Sequence, residues 1–243
     1  MPGPIDLAFV VLFFGASTLW EYLVFWPRLR AAIASGKPGA RVQGYRVMIA
    51  AEWLGAAFVV ALWGAAHRPW AGLWLAVPTG WRLVVSGVLV VAVAGLFVSQ
   101  ARTVAALSPA QRARVRERHE SLSVVIPHTA EEHRWFMALA VTAGVCEELL
   151  FRGYLMWVVR PWLGLWGAVA LVVVAFGLAH AYQGRSDGVR ATIAGAVMGA
   201  VALLTRSILP GMVVHALVDL GSGSAAYLLM REPGTAPGLR HAT

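Results

Sequence analysis

Residues 144–155, "GVCEELLFRGYL", place three charged side chains, Glu147, Glu148 and Arg152, in a stretch that otherwise reads as a membrane helix. "WFMALAVTAGV" (135–145) leads into it and "YLMWVV" (154–159) follows. Whether the segment lies in lipid decides the fold, and the rest of the chain answers. Of its 243 residues, 59% are hydrophobic and 13% charged, with a mean hydropathy of +0.68. A soluble domain of this length carries roughly 25% charged residues. Apolar runs near the ~20 residues that cross a bilayer recur from end to end. The chain therefore reads as an all-α, polytopic transmembrane bundle.

The hydropathy pattern predicts about seven spans, near 5–26, 47–66, 82–101, 135–156, 162–182, 189–206 and 208–229. The start, "MPGPIDLAFVVLFFGAST", lacks the basic leader of a secretory signal and is expected to stay as the first span. The net charge of +8 is placed in loops, not in a nucleic-acid-binding face. Arg28, Arg30, Lys37, Arg41 and Arg46 follow the first span, and Arg102, Arg112, Arg114, Arg116 and Arg118 follow the third. Basic loops mark the cytoplasmic side, so the N-terminus is expected outside and the C-terminus in the cytoplasm. Arg185 and Arg190 agree with that orientation, with Arg160 and Arg206 on the outer side. One Lys against 19 Arg hints at a GC-rich bacterial source and hence at an inner, cytoplasmic membrane.

Between spans, "LSPAQRARVRERHESL" predicts a short basic surface helix near anionic headgroups, capped by Ser108 with Pro109 at its first position. "HRPWAGLWLAVPTGW" reads as a Trp-rich interfacial loop. Gly195 and Gly199 form a small-xxx-small pair suited to helix packing. The tail from Pro233 onward reads as disordered. The single cysteine, Cys146, excludes an intrachain disulfide and reads as a packing residue.

Ionisable groups inside a membrane cost about 2.5–3.5 kcal/mol each on insertion scales, and such groups are rare without a role. Here they gather on three late spans. Glu147, Glu148 and Arg152 lie on the fourth, His180 on the fifth, and His215 with Asp219 on the seventh. Residues four apart share a helix face, so Glu148 can reach Arg152, and His215 can reach Asp219. Glu147 is rotated about 100° away from Glu148. Phe176 lies one turn before His180 and could wall a pocket. Glu147 is expected ~18 Å from the inner end of its span and His215 ~10 Å from the outer end of its own, which are compatible depths. His180 is expected shallower. Glu21 and Glu52 read as interfacial or bonded to neighbouring helices.

A Glu beside a His can activate water, and a second His can stabilise the oxyanion of a tetrahedral intermediate. Such a set hydrolyses amides. Two imidazoles and a carboxylate are also a common zinc set, although the H-E-x-x-H signature is absent. Spacing does not decide between the two.

Glu147-Glu148-x-x-x-Arg152, then Phe176-x-x-x-His180, then His215-x-x-x-Asp219 resembles the CPBP intramembrane proteases, the bacterial relatives of the CAAX prenyl endopeptidase (the abortive-infection or bacteriocin-processing family). The resemblance covers roughly 133–225. It implies a protease core at 133–229, preceded by N-terminal helices and basic loops (1–132) and followed by a tail (230–243). It implies that Glu147 is the general base, that His180 shares the attacking water, and that Glu148, Arg152 and Phe176 brace the site. His215 and residue 219 would line the oxyanion side. Asp219 stands where the eukaryotic enzymes carry Asn, and it cannot donate a hydrogen bond unless protonated. The resemblance favours a glutamate-type enzyme without a metal; the alternative is a divalent metal such as zinc on Glu147, His180 and His215. The expected partners are a membrane-associated or exported protein or peptide substrate and the bilayer, with no nucleic acid. Competing readings are a non-catalytic immunity or scaffold protein and a proton-coupled transporter.

Overall fold

A computed structural model describes residues 1–118, 124–183 and 185–230; the predicted tail lies outside these residues. Among them the chain is helical throughout, without strands. Helix α1 runs Pro4–Ala34, α2 Ala40–Ala65 and α3 Trp81–Ala106. The short α4 spans Pro109–Arg118. An apolar helical run, Ala130–His180, has 51 residues. At 1.5 Å per residue it would be ~77 Å long, more than twice a ~30 Å hydrocarbon core. It breaks at Gly164, whose φ of 67° and ψ of −178° lie outside helical space and favour a residue without Cβ. Two helices result, α5 (130–163) and α6 (165–180). Then come α7 (Arg185–Thr205) and α8 (Leu209–Met230). Among the described residues six helical runs are long and apolar enough to cross a membrane, one of them divided at Gly164. Leu54, Val91 and Trp166 are 72%, 72% and 73% exposed, as lipid-facing side chains of such a bundle are.

Local sequence explains where the boundaries depart from the hydropathy pattern. Helix α5 begins at Ala130, five residues earlier than its apolar run. Thr129 Oγ1 accepts from the Glu132 N–H (3.2 Å) and Glu132 Oε2 from the Thr129 N–H (3.1 Å), a reciprocal cap at the polar end. Helix α6 covers only ~24 Å, less than a ~30 Å hydrocarbon core. In α4, Ser108 Oγ accepts from the Gln111 N–H at 3.3 Å, the cap expected of "SPAQ".

Close approaches hold the late helices together. A Cβ on Gly144 would lie 2.6 Å from the Ala216 backbone nitrogen, so α5 and α8 pack nearly backbone to backbone. Trp53 Nε1 donates to Thr142 Oγ1 at 3.1 Å and fixes α2 against α5. Within α5, residues Glu148–Leu155 form a π-helical stretch of eight residues, all buried. Such widened turns gather at functional sites.

At the end opposite the basic loops, Asp6 is almost fully enclosed. Its oxygens accept from both terminal nitrogens of Arg68 (2.8 and 2.7 Å), from the Gly3 N–H (2.6 Å) and from the Tyr154 hydroxyl (2.7 Å). The Arg68 guanidinium lies over Trp157 at 4.7 Å. The clamp ties α1, the α2–α3 loop and α5 together. Asp6→Ala leaves a guanidinium and a phenol without their acceptor and is expected to cost about 2 kcal/mol. A lowered thermal midpoint in detergent checks this. At the basic end, the Tyr22 hydroxyl donates to the Ala181 carbonyl (3.0 Å) and Trp26 stacks on Tyr182 at 3.8 Å, holding α1 against the turn after His180.

Candidate active site

Glu147 and Glu148, adjacent at the start of the π stretch, face different surroundings. Glu148 is sealed in the bundle. Its Oε1 accepts from Arg152 Nη1 at 3.0 Å and from His215 Nδ1 at 3.0 Å. Arg152, equally buried, donates from Nη2 to the Gly195 carbonyl at 3.2 Å and lies over the Phe176 ring at 4.2 Å. The pair is not fully satisfied, since Glu148 Oε2 and Arg152 Nε have no hydrogen-bond partner among the described residues, but the two opposite charges compensate each other. Glu148 thus does more than pair with Arg152. It also fixes the ring of His215 across the bundle.

Glu147 faces a cavity of about 500 Å³ between α2, α5, α6, α7 and α8. Its Oε1 lies 3.8 Å from His180 Nε2, and its Oε2 lies 3.7 Å from His215 Nε2. Both separations exceed a hydrogen bond. Oε2 is buried and has no hydrogen-bond partner among the described residues. The tautomer of His180 follows from its other nitrogen. Nδ1 lies 2.8 Å from the Phe176 carbonyl, which only accepts, so Nδ1 carries the proton. In the neutral ring Nε2 then presents a lone pair towards Glu147. Two acceptors 3.8 Å apart are spaced to share a single water that donates to each.

Asp219 Oδ2 is 3.7 Å from His215 Nε2, too far for a hydrogen bond, and Asp219 lines the cavity. Phe176 walls it and packs against His180 with ring centroids 4.5 Å apart. The structure therefore brings Glu147, His180, His215 and Asp219 to one cavity, with Glu148, Arg152 and Phe176 behind it. His180 lies level with Glu147, its Nε2 3.8 Å from Glu147 Oε1, not at the shallower level expected. Cys146 packs away from the cavity in the apolar core with Trp63, Tyr154 and Phe176.

Two residues acquire roles that local reading missed. Gly195 was visible as half of a packing motif; its carbonyl also receives Arg152, and a Cβ there would meet Phe176 at 3.2 Å. Glu52 is not bonded to a neighbouring helix among the described residues. Its Oε2 is buried without a partner, and the side chain lines the same cavity as Glu147.

No group of three or more His, Cys, Asp or Glu among the described residues is arranged to hold a metal ion. His215 Nδ1 is committed to Glu148, which leaves that ring one nitrogen for any other ligand.

A family model, the type II CAAX prenyl endopeptidase Rce1-like family, matches residues 130–221, under half of the chain but spanning Glu147 to Asp219. No curated protein and no solved structure gave a match.

Proposed function

We propose that this multi-pass membrane protein, whose residues 130–221 match the type II CAAX prenyl endopeptidase Rce1-like family model, hydrolyses a peptide bond with water activated by Glu147. The observation that carries the reading is Glu147 at the cavity, its Oε1 3.8 Å from His180 Nε2 and its buried, unpartnered Oε2 3.7 Å from His215 Nε2. A water held by Glu147 and His180 gives its proton to Glu147 as its oxygen adds to the scissile carbonyl carbon. His215, protonated at both nitrogens, donates Nδ1–H to Glu148 and offers Nε2–H to the oxyanion. Collapse of the intermediate breaks the C–N bond, and Glu147 passes its proton to the leaving amine. Asp219, which only accepts when ionised, lines the cavity beyond hydrogen-bond reach of His215 and is not an oxyanion donor in this reading.

The substrate is a membrane-associated or exported protein that reaches the cavity within the bilayer. The basic loops favour a cytoplasmic placement of the end bearing Arg28, Arg30 and Arg41, with the Asp6–Arg68 clamp on the outer side of a bacterial cytoplasmic membrane. Glutamate-type chemistry predicts that excess chelator leaves the cleavage rate unchanged. A loss restored by zinc assigns the metal-dependent type instead.

Terminal peptides of membrane and secreted proteins, compared by mass spectrometry between cells with and without the protein, test the reading. A discrete set of termini present only with the protein supports it. Identical termini in both, with the protein abundant in the membrane, overturn it.

A further inference from the structure

We propose that Glu52 determines specificity by receiving a cationic side chain, lysine or arginine, of the substrate near the scissile bond. The inference rests on the proteolytic reading and names a substrate class for the same cavity. Glu52 belongs to α2, outside the matched 130–221 region. The Trp53–Thr142 hydrogen bond fixes the register of α2 on α5, and Glu52 then lines the cavity with Glu147, His180 and Asp219. Its Oε2 is shut away from solvent with no partner, and it lies within electrostatic reach of Glu147 and Asp219.

Three carboxylates thus face one largely apolar cavity. Among the described residues, no Lys or Arg lines it. Two buried cations adjoin it: Arg152 is held by Glu148, Gly195 and the Phe176 ring, and His215, protonated in the proposed mechanism, keeps its Nε2–H for the oxyanion. His180 directs its Nδ1–H to Phe176, and His215 its Nδ1–H to Glu148. An uncompensated buried carboxylate is costly, and a cation that arrives with the ligand removes that cost. Glu147 cannot be that cation's seat, because a base held in an ion pair loses its capacity to accept the proton of water. Asp219 sits one turn from His215, beside the oxyanion side, where a cation would compete for the same negative charge. Glu52, on a different helix from either catalytic wall, can hold a substrate cation without entering the proton transfers.

The probe is a library of synthetic hydrophobic peptides that differ at a single position, which is Lys, Arg, Gln or Glu at each site in turn. It is presented to the purified protein in lipid nanodiscs, with cleavage followed by mass spectrometry. Wild type is expected to favour the Lys or Arg peptide over its Gln counterpart by roughly 10- to 100-fold in kcat/KM at one site, expressed mainly in KM; this range matches hydrogen bonds to a charged group. In Glu52→Gln that ratio falls to near unity, in Glu52→Asp it persists, and in Glu52→Lys the Glu peptide becomes the favoured one. If wild type cleaves neutral and basic peptides alike, or if the preference survives Glu52→Gln, the assignment is overturned while the protease reading stands. If wild type cleaves no peptide of any kind, the protease reading falls and this assignment with it. Should Glu52→Gln fail to assemble, the wild-type ratio and the Glu52→Asp variant still decide.

Discussion

Glu147→Gln is expected to lower the cleavage rate by roughly 10³-fold or more while leaving the protein in the membrane at its normal level; general-base catalysis contributes about 10²–10⁴. The amide keeps the volume of the carboxylate and cannot take a proton from water. Stability should be little affected, because Glu147 Oε2 has no hydrogen-bond partner to lose. Its approaches to His180 and His215 are likewise longer than hydrogen bonds. The measurement is the initial rate of product formation by the purified variant in nanodiscs, set beside an immunoblot of membrane fractions. Normal protein level with full activity contradicts the role; normal level with lost activity is the predicted outcome.

The opposite balance is expected at Arg152. Arg152→Ala strips Glu148 of its guanidinium partner and leaves the Gly195 carbonyl without its donor. Breaking a buried pair by removing one member costs about 3–5 kcal/mol, because the other charge stays buried and uncompensated. The variant should unfold at clearly lower temperature in detergent and accumulate poorly. Replacing both members removes the stranded charge, so Glu148→Leu with Arg152→Met should recover much of the stability. It should not recover activity, since His215 Nδ1 then has no acceptor and its ring loses its fixed orientation. A double variant that is both stable and active would show Glu148 to be a packing element only.

Much of the fold was readable locally because lipid imposes a simple requirement, a run of apolar residues long enough to cross. That rule found the apolar helices long enough to cross, six in the structure, and the charged residues at 147, 148, 152, 180, 215 and 219 stood out against it. Boundaries were less visible wherever a polar residue continues a helix beyond the lipid. Helix α1 runs through "WPRLRAAIA" to Ala34, so the expected basic loop is largely helical, and the Thr129–Glu132 cap starts α5 inside a polar segment. The turn between α5 and α6 falls at Gly164, past Arg160, because the helix continues through Pro161.

Within the site, pairs along one helix were legible and pairs across helices were not. Glu148 with Arg152 follows from a spacing of four. That the same Glu148 oxygen also holds His215 depends on how closely α8 approaches α5 at Gly144. Glu52 was invisible for the same reason. A lone glutamate in a helix carries no local sign of what it faces, and its direction is set by the Trp53–Thr142 contact between helices.

Direct attack by a Glu147-activated water is tested most sharply by single-turnover cleavage in H₂¹⁸O with hydroxylamine present, on a substrate identified from the altered termini. The new carboxyl terminus should carry one ¹⁸O, and no hydroxamate should form, because no acyl-enzyme precedes hydrolysis. A hydroxamate at the new terminus would reveal a covalent intermediate on a side-chain nucleophile and would contradict the mechanism.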